Sequence, residues 1–459
     1  METSFAFWVV VAYFIVMVAV GFYFIKRTKT QDDFSVANRS LPGIVVAGTL
    51  MATWMGSGTV VGGGNSLAYQ HGLWVAIIFS MASPLGVAVM YFLAAKIRRL
   101  GLTSAADIIE SRYGSRARLV ATILMLVAYV GILSYQFTGV GFVLNVTLGI
   151  STEMGTLIAL ILIIVVAGAG GLFSVAYTDF LSAVLMFFGL LLGVPLAIKA
   201  SGGWDQIVSM LPSGHLSLGG LTVFQTIGYF LPLLLLIMGD QNMYQRFFAA
   251  KDEKQARYGA IGWFIGVIVV LPIVAFGATA SRALYPDIPA GQALMMLSVN
   301  AMPTVLGALA IAAITGFVVT TGTSYILMCS VNLIHDIYHR FINRDISEKR
   351  LLRLSRLSVI FIGLFAYVLI KFFPDVLSVQ MYSYTMYGAT ITPVLLAAIV
   401  WKKATRAAGI STMIVGGVMT IAWEVLGQPF GLQSVLISAP LAVITLIVVG
   451  NMTYKPKEA

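Results

Sequence analysis

Met51-Ala-Thr-Trp-Met-Gly-Ser57, followed by the glycine cluster Gly62-Gly63-Gly64, interrupts an apolar stretch that otherwise reads as one membrane span. In lipid every backbone N–H and C=O has to be paired within the protein. Irregular backbone at membrane depth therefore persists only where it is buried or lines a cavity. Carriers that work by alternating access place such broken helices at their ion and solute sites. The stretch thus points to a helical membrane protein and to the first place to look for its site.

The rest of the chain agrees. Of 459 residues, 59% are hydrophobic and 10% charged, where a soluble domain carries roughly a quarter charged. Counting apolar runs of about 18 residues or more gives an all-α integral membrane protein with thirteen expected spans, from Phe5–Ile25 to Leu432–Val449. Lys26, Arg27 and Lys29 follow the first run and no basic residue precedes it, the reverse of a signal peptide. It reads as a retained span. An odd count puts the termini on opposite sides. With the N-terminus outside and the C-terminus cytoplasmic, 25 of the 28 Lys and Arg fall in cytoplasmic segments, as the positive-inside rule requires. Topology thereby accounts for the net charge of +10. The expected surroundings are a plasma or inner membrane and its lipid bilayer, with a small organic solute as partner, no nucleic acid and no obligate protein partner. The single cysteine, Cys329, excludes an intramolecular disulfide.

A second interruption, Met238-Gly-Asp-Gln-Asn-Met243, opens another block of apolar runs. Paired irregular helices at corresponding places in two halves are the pointer to an inverted repeat with its site between them. Within one membrane domain, 1–459, the expected division is a first span and loop (1–40), a first repeat (41–198), a second repeat (221–401) and two last spans with a tail (402–459). Residues 201–220 read as an external connector, 284–297 as a short outer gate, and Thr103–Arg112 as an amphipathic cytoplasmic segment. The basic run from Arg246 to Arg257 goes to the cytoplasm, which leaves the membrane interior without Lys or Arg.

Ionisable groups inside a membrane are costly and mark function by default. Asp179, in Ser174-Val-Ala-Tyr-Thr-Asp179, and Asp240, in the second interruption, stand out. A helix N-cap is the plain alternative for Asp179, since Thr178 and Asp179 both suit that position. Phe317-Val-Val-Thr-Thr-Gly-Thr-Ser324 crowds four hydroxyls into five positions. Thr320, Thr323 and Ser324 share a helix face and offer the oxygen ligands that hard cations take. Back-bonding to their own helix, or helix packing, is the competing reading.

Four motifs carry a resemblance: Gly170-Gly171-Leu-Phe-Ser-Val-Ala-Tyr-Thr-Asp179, Tyr244-Gln-Arg-Phe-Phe-Ala-Ala-Lys251, the Thr320-Thr321 pair and His335-Asp336-Ile337-Tyr338. Together, and in this order, they resemble the sodium:solute symporter family over nearly the whole chain. The resemblance implies a five-plus-five inverted-repeat, LeuT-like core with one additional N-terminal and two additional C-terminal helices. It implies Na⁺ as coupling ion, held at a main site by the hydroxyls of Thr320 and Thr321 and the carbonyls of Phe317, Ala52 and Met55. Asp179 with Thr320, Thr323 and Ser324 matches a second sodium site found in some members.

For the solute, the resemblance to the high-affinity choline branch sends Trp54 into the pocket beside Thr53, with Tyr135 and Gln136 as a further wall. Trp54 could hold a quaternary ammonium by cation–π attraction. The choline branch has a tryptophan where this chain has Asp240, so the aromatic cage is incomplete, although an aspartate can itself neutralise a cation. Asp240, Gln241 and Asn242 also resemble the sugar-transporting branch. Proline, pantothenate and other carboxylates remain open.

The expected function is sodium-coupled import of a small organic solute by alternating access, without enzymatic activity. A proton-coupled carrier of the same fold is the near alternative; it would need no oxygen cage at Thr320-Thr321. A membrane enzyme using Asp179 and Asp240 is the alternative of another class. Against it, no nucleophile has a histidine beside it. The glycine cluster lacks the Gly-Lys-Ser/Thr ending of a phosphate loop.

Overall fold

The computed structural model describes residues 3–25, 36–167, 171–218, 220–373 and 375–455. The expected loop through Lys26–Lys29, the Gly170 half of the Gly170-Gly171 turn and Lys457 lie outside them. Among the described residues the chain is helical, with a single isolated backbone bridge between Leu41 and Ala250. Ten helices are long and apolar enough to cross a membrane, or eleven when the bent pair at the first interruption counts as one. Length and composition thus support ten or eleven of the expected thirteen. Two further apolar helices, Phe5–Val20 and Thr152–Ala167, occupy expected span positions but are shorter than the rest.

The helices are α1 (Thr3–Ile25), the broken set α2 (Gly43–Trp54), α3 (Ser57–Val60) and α4 (Gly63–Gln70), then α5 (Leu73–Leu100), α6 (Ala105–Tyr113), α7 (Ser115–Leu148), α8 (Thr152–Ala167), α9 (Gly171–Ala200) and α10 (Trp204–Met210). The second half holds α11 (Val223–Gly239), α12 (Gln241–Ala249), α13 (Glu253–Leu284), α14 (Ala293–Asn300), α15 (Thr304–Val331), α16 (Glu348–Leu369), α17 (Val376–Val400), α18 (Arg406–Val425) and α19 (Val435–Thr453). A π-helical segment, Asn332–Ile342, prolongs α15. Starts are fixed locally: Ser104 and Asp107 form a capping box on α6, and Thr222 and Gln225 one on α11.

Packing sorts these elements into two bodies. The broken helix α2 packs on α13, which packs on α5, and α5 also carries α11. A second body joins α7, α8, α15 and α16. Helices α9 and α17 span both: α9 touches α2 and α15, while α17 touches α11 and α7. In the Thr304–Ile342 helix 83% of the most apolar window is buried, against 33% in Val435–Thr453. The first is the central pillar, and the second presents most of its surface outward.

Basic side chains gather at one end of the molecule. Arg98 donates to the Ala250 carbonyl, Arg112 to the Lys402 carbonyl and Lys96 to the Ile399 carbonyl. Arg118 pairs with Asp107, Glu110 and Asp336, and Arg340 also reaches Glu110.

Candidate ion and solute site

The two helix breaks lie at the junction of these bodies, and side chains from neighbouring helices pair their loose backbone groups. At the first break α2 and the α3–α4 segment bend by 53°. The Ser57 amide donates to the Gln136 side-chain oxygen at 2.9 Å. Gln380 on α17 accepts from the Gly63 amide at 2.8 Å and donates to the Gly58 carbonyl at 2.9 Å. At the second break Asp240, with φ −60° and ψ 119°, ends α11 and caps α12 through the Asn242 amide. The Gln241 amide donates to the hydroxyls of Tyr129 and Tyr387, and the Tyr387 hydroxyl donates to the Gly239 carbonyl. These side chains thus engage backbone groups that would otherwise be costly at this depth.

The expected main sodium ligands come together across α2 and α15. The Thr321 hydroxyl lies 3.5 Å from the Ala52 carbonyl and 3.4 Å from that of Thr53; the Thr320 hydroxyl lies 3.4 Å from the Phe317 carbonyl. Met55 is the turning residue of the break, and Gly56 follows it. A Cβ on Gly56 would stand 2.6 Å from the Thr321 hydroxyl, so only glycine lets the break approach α15 this closely. Hydrogen bonds of 3.4–3.5 Å are weak. They leave oxygen lone pairs available to a hard cation.

Asp179 lies inside α9, eight residues past Gly171, and is no helix cap. Its Oδ2 accepts from the hydroxyls of Thr49 at 2.6 Å and Thr53 at 3.1 Å. It also meets the Arg246 guanidinium at 3.5 Å. Arg246 is fully buried, which corrects two expectations: that this arginine is cytoplasmic, and that the interior lacks a cation. The cause is the break at Asp240, after which the chain continues as the wholly buried α12 instead of leaving the membrane. Arg246 donates to the Thr49 hydroxyl, the Asn242 carbonyl and the Ser324 hydroxyl. Of the expected second cluster, Ser324 thus serves Arg246, and the Thr323 hydroxyl turns back on the Val319 carbonyl at 2.8 Å. That is the ordinary back-bonding of a helical threonine.

A small cavity of about 10 Å³ adjoins the main cluster, lined by Thr53, Trp54, Gly56, Gly58, Ile132, Tyr135, Gln136, Thr321, Tyr325 and Tyr384. Thr53, Trp54, Tyr135 and Gln136 stand where the solute reading put them. Asp240, Gln241 and Asn242 do not line it. Asp240 sits behind Tyr325 and Tyr129, whose hydroxyls donate to it at 2.6 and 2.8 Å, Gln241 reaches Asn332, and Asn242 faces a different cavity beside Arg246. A wider cavity of about 400 Å³, bounded by Gln70, Phe142, Pro289, Phe373 and Asp375, lies toward the 284–297 segment.

Sequence reasoning missed Thr49, Arg246, Tyr129, Tyr325, Tyr384 and Gln380. Arg246 had one signal: Phe247-Phe248-Ala249-Ala250 continues the apolar run beyond it. Tyr325 had another, four residues after Thr321 and therefore on the same helix face.

The family model described as the sodium:solute symporter family matches residues 34–416. The chain belongs to this family. The high-affinity proline transporter PutP of Bacillus subtilis is 26% identical, over 96% of this chain and 97% of its own length. Sodium/proline symporter 2 of Staphylococcus saprophyticus is also 26% identical, over 97% and 93% respectively. Among solved structures, a substrate-bound, outward-open Na⁺-coupled sialic acid symporter superposes with a TM-score of 0.82 at 21% identity, covering 99% of this chain and 98% of that one. Mhp1, a nucleobase-cation-symport-1 family transporter, gives 0.61 at 12% identity, covering 92% and 96%. This symporter is a multi-pass membrane transporter, with sodium as its coupling ion and no enzymatic role. The two solved structures show a shared transporter fold.

Proposed function

We propose that this symporter imports a small organic solute, and that one sodium at Ala52, Met55, Phe317, Thr320 and Thr321 drives it. The observation that carries this reading is that Thr321 belongs both to the ion cluster, beside the Ala52 carbonyl, and to the wall of the solute cavity. Sodium clamps the first break onto α15 and completes the cavity wall. Bound solute in turn holds the break where sodium needs it. Trp54, Tyr135 and Gln136 complete the solute set, and Asp240 and Gln241 act from behind it. Relatives named for proline make a proline-like amino acid the first solute to try.

The repeat division 41–198 and 221–401, thirteen crossings, an outside N-terminus and a cytoplasmic C-terminus are part of the same proposal. The gathering of Arg98, Arg112, Arg118 and Arg340 at one end supports that orientation. The functional test is solute uptake into proteoliposomes under a sodium gradient. Thr321→Ala is expected to raise half-saturating sodium about tenfold, equivalent to about 1.4 kcal/mol, with the melting temperature kept. Equal uptake in potassium and sodium chloride would overturn the reading.

A further inference from the structure

The solute cavity has no charged wall, yet a buried carboxylate lies one side chain behind it. Asp240 is fully buried and everything that touches it is a donor. Oδ2 accepts from the Tyr325 hydroxyl at 2.6 Å; Oδ1 accepts from the Tyr129 hydroxyl at 2.8 Å, the Asn242 amide at 3.0 Å and the Asn242 side chain at 3.4 Å. An all-donor shell is the surrounding an ionised carboxylate takes, because the ionised group accepts only. Among the described residues no cation pairs with it: the nearby guanidinium, Arg246, meets Asp179.

A phenol has one hydrogen. That of Tyr325 is committed to Asp240, so toward any solute in the cavity it lines the Tyr325 oxygen can only accept. The rest of the wall has the same bias. The Trp54 N–H donates away to Ser83 at 2.9 Å and leaves the ring facing the cavity. The Gln136 oxygen is taken by the Ser57 amide and its nitrogen by the Ile132 carbonyl. The Thr53 hydroxyl donates to Asp179. Tyr135 and Tyr384 share one long contact of 3.4 Å, so one of the two keeps both lone pairs and the other keeps its O–H. Around Tyr325 the cavity therefore offers an acceptor and aromatic faces.

We infer that Tyr325, polarised by Asp240, is a specificity-determining residue, and that the solute carries an ammonium group with at least one N–H directed at its oxygen. The inference rests on the symport reading above and names its solute class. A solute with an anionic end places it beside Thr321 and the coupling sodium, one helical turn from Tyr325. A fully methylated ammonium can still lie against Trp54 by cation–π attraction, but it brings no hydrogen to Tyr325. A charge-assisted hydrogen bond is the stronger kind, and its loss is expected to weaken binding about ten- to a hundredfold.

The test uses the full-length purified protein and matched probes in sodium and in potassium chloride: proline, N-methylproline and N,N-dimethylproline; ethanolamine and choline; and glucose and lactate as amine-free controls. Affinity is expected to fall at least about tenfold when the last N–H becomes methyl. Tyr325→Phe, which keeps the ring, is expected to remove that discrimination by weakening the N–H probes alone. Asp240→Asn is expected to weaken the same probes. The inference is overturned if the dimethylated partner binds as tightly, if Tyr325→Phe weakens both partners equally, or if no N–H ammonium is among the ligands that bind. Sodium dependence is read separately: binding that ignores sodium defeats the symport reading, while sodium-dependent binding confined to an amine-free probe defeats only the solute class.

Discussion

A buried guanidinium is stable only when a carboxylate and neutral acceptors take its N–H groups, and Arg246 has Asp179, Thr49, Ser324 and the Asn242 carbonyl around it. Removing one partner strands the other. Arg246→Gln is expected to destabilise the protein by roughly 3–5 kcal/mol, and adding Asp179→Asn to restore a good part of that loss. Thermal denaturation of the two single variants and the double variant in one detergent measures the coupling. Additive losses would show that the pair does not act as a unit. The residues legible in the sequence were those whose chemistry is rare in their surroundings, such as Asp179 among apolar neighbours or four hydroxyls in five positions. Tyr129, Tyr325 and Tyr387 were not, because a tyrosine in an apolar helix is ordinary among the 19 in this chain. Only the fold shows that three of their hydroxyls serve one break.

The first break is held between two elements. On one side Gln380 of α17 bridges the Gly58 carbonyl and the Gly63 amide. A Cβ on Gly62 would run into the same Gln380 oxygen. On the other side Asn65 of α4 donates to the Ala290 carbonyl and accepts from the Leu294 amide, and the Tyr69 hydroxyl donates to the Tyr285 carbonyl. The 284–297 segment is therefore tied to α4, while α17 is latched to it by one glutamine. Two hydrogen bonds at about 1 kcal/mol each make Gln380→Ala worth a roughly tenfold or larger shift toward states with the α4–α17 seam open. A cysteine replacing Ile132 in the cavity, in a Cys329→Ser background, is expected to react correspondingly faster with a polar thiol reagent; an unchanged rate would remove Gln380 from gating. Both breaks could be read from the sequence because glycine and polar residues punctuate apolar runs. The side-chain amides that mend the breaks, Gln136 and Gln380, come from helices far away in the chain and left no local signal. The span count is harder to read for a related reason: length and apolarity describe a helix alone, whereas α8 is short and packs against α7.

Across the whole molecule, three charged side chains are fully buried around the breaks: Asp179, Asp240 and Arg246. With both carboxylates ionised their sum is one negative charge, which one sodium at the proposed Thr320-Thr321 site would neutralise. The arrangement spans both packed bodies, because Asp179 rides on α9, Asp240 and Arg246 belong to the second broken helix, and the threonines belong to the central pillar α15. Movement of one body against the other with sodium absent carries an unbalanced charge through a medium of low dielectric, which slows the empty return; with sodium bound, the same movement carries none. A second sodium beside Asp179 would restore an imbalance unless Arg246 first withdrew from that carboxylate. The expected stoichiometry is therefore one sodium per solute, so that a zwitterionic solute moves one positive charge per cycle. Paired measurements of radiolabelled sodium and solute flux in proteoliposomes, with the reversal potential as a second readout, test it. A ratio of two would mean that Asp179 exchanges Arg246 for an ion during transport, and the Arg246→Gln variant would then lose the second sodium or bind it without competition.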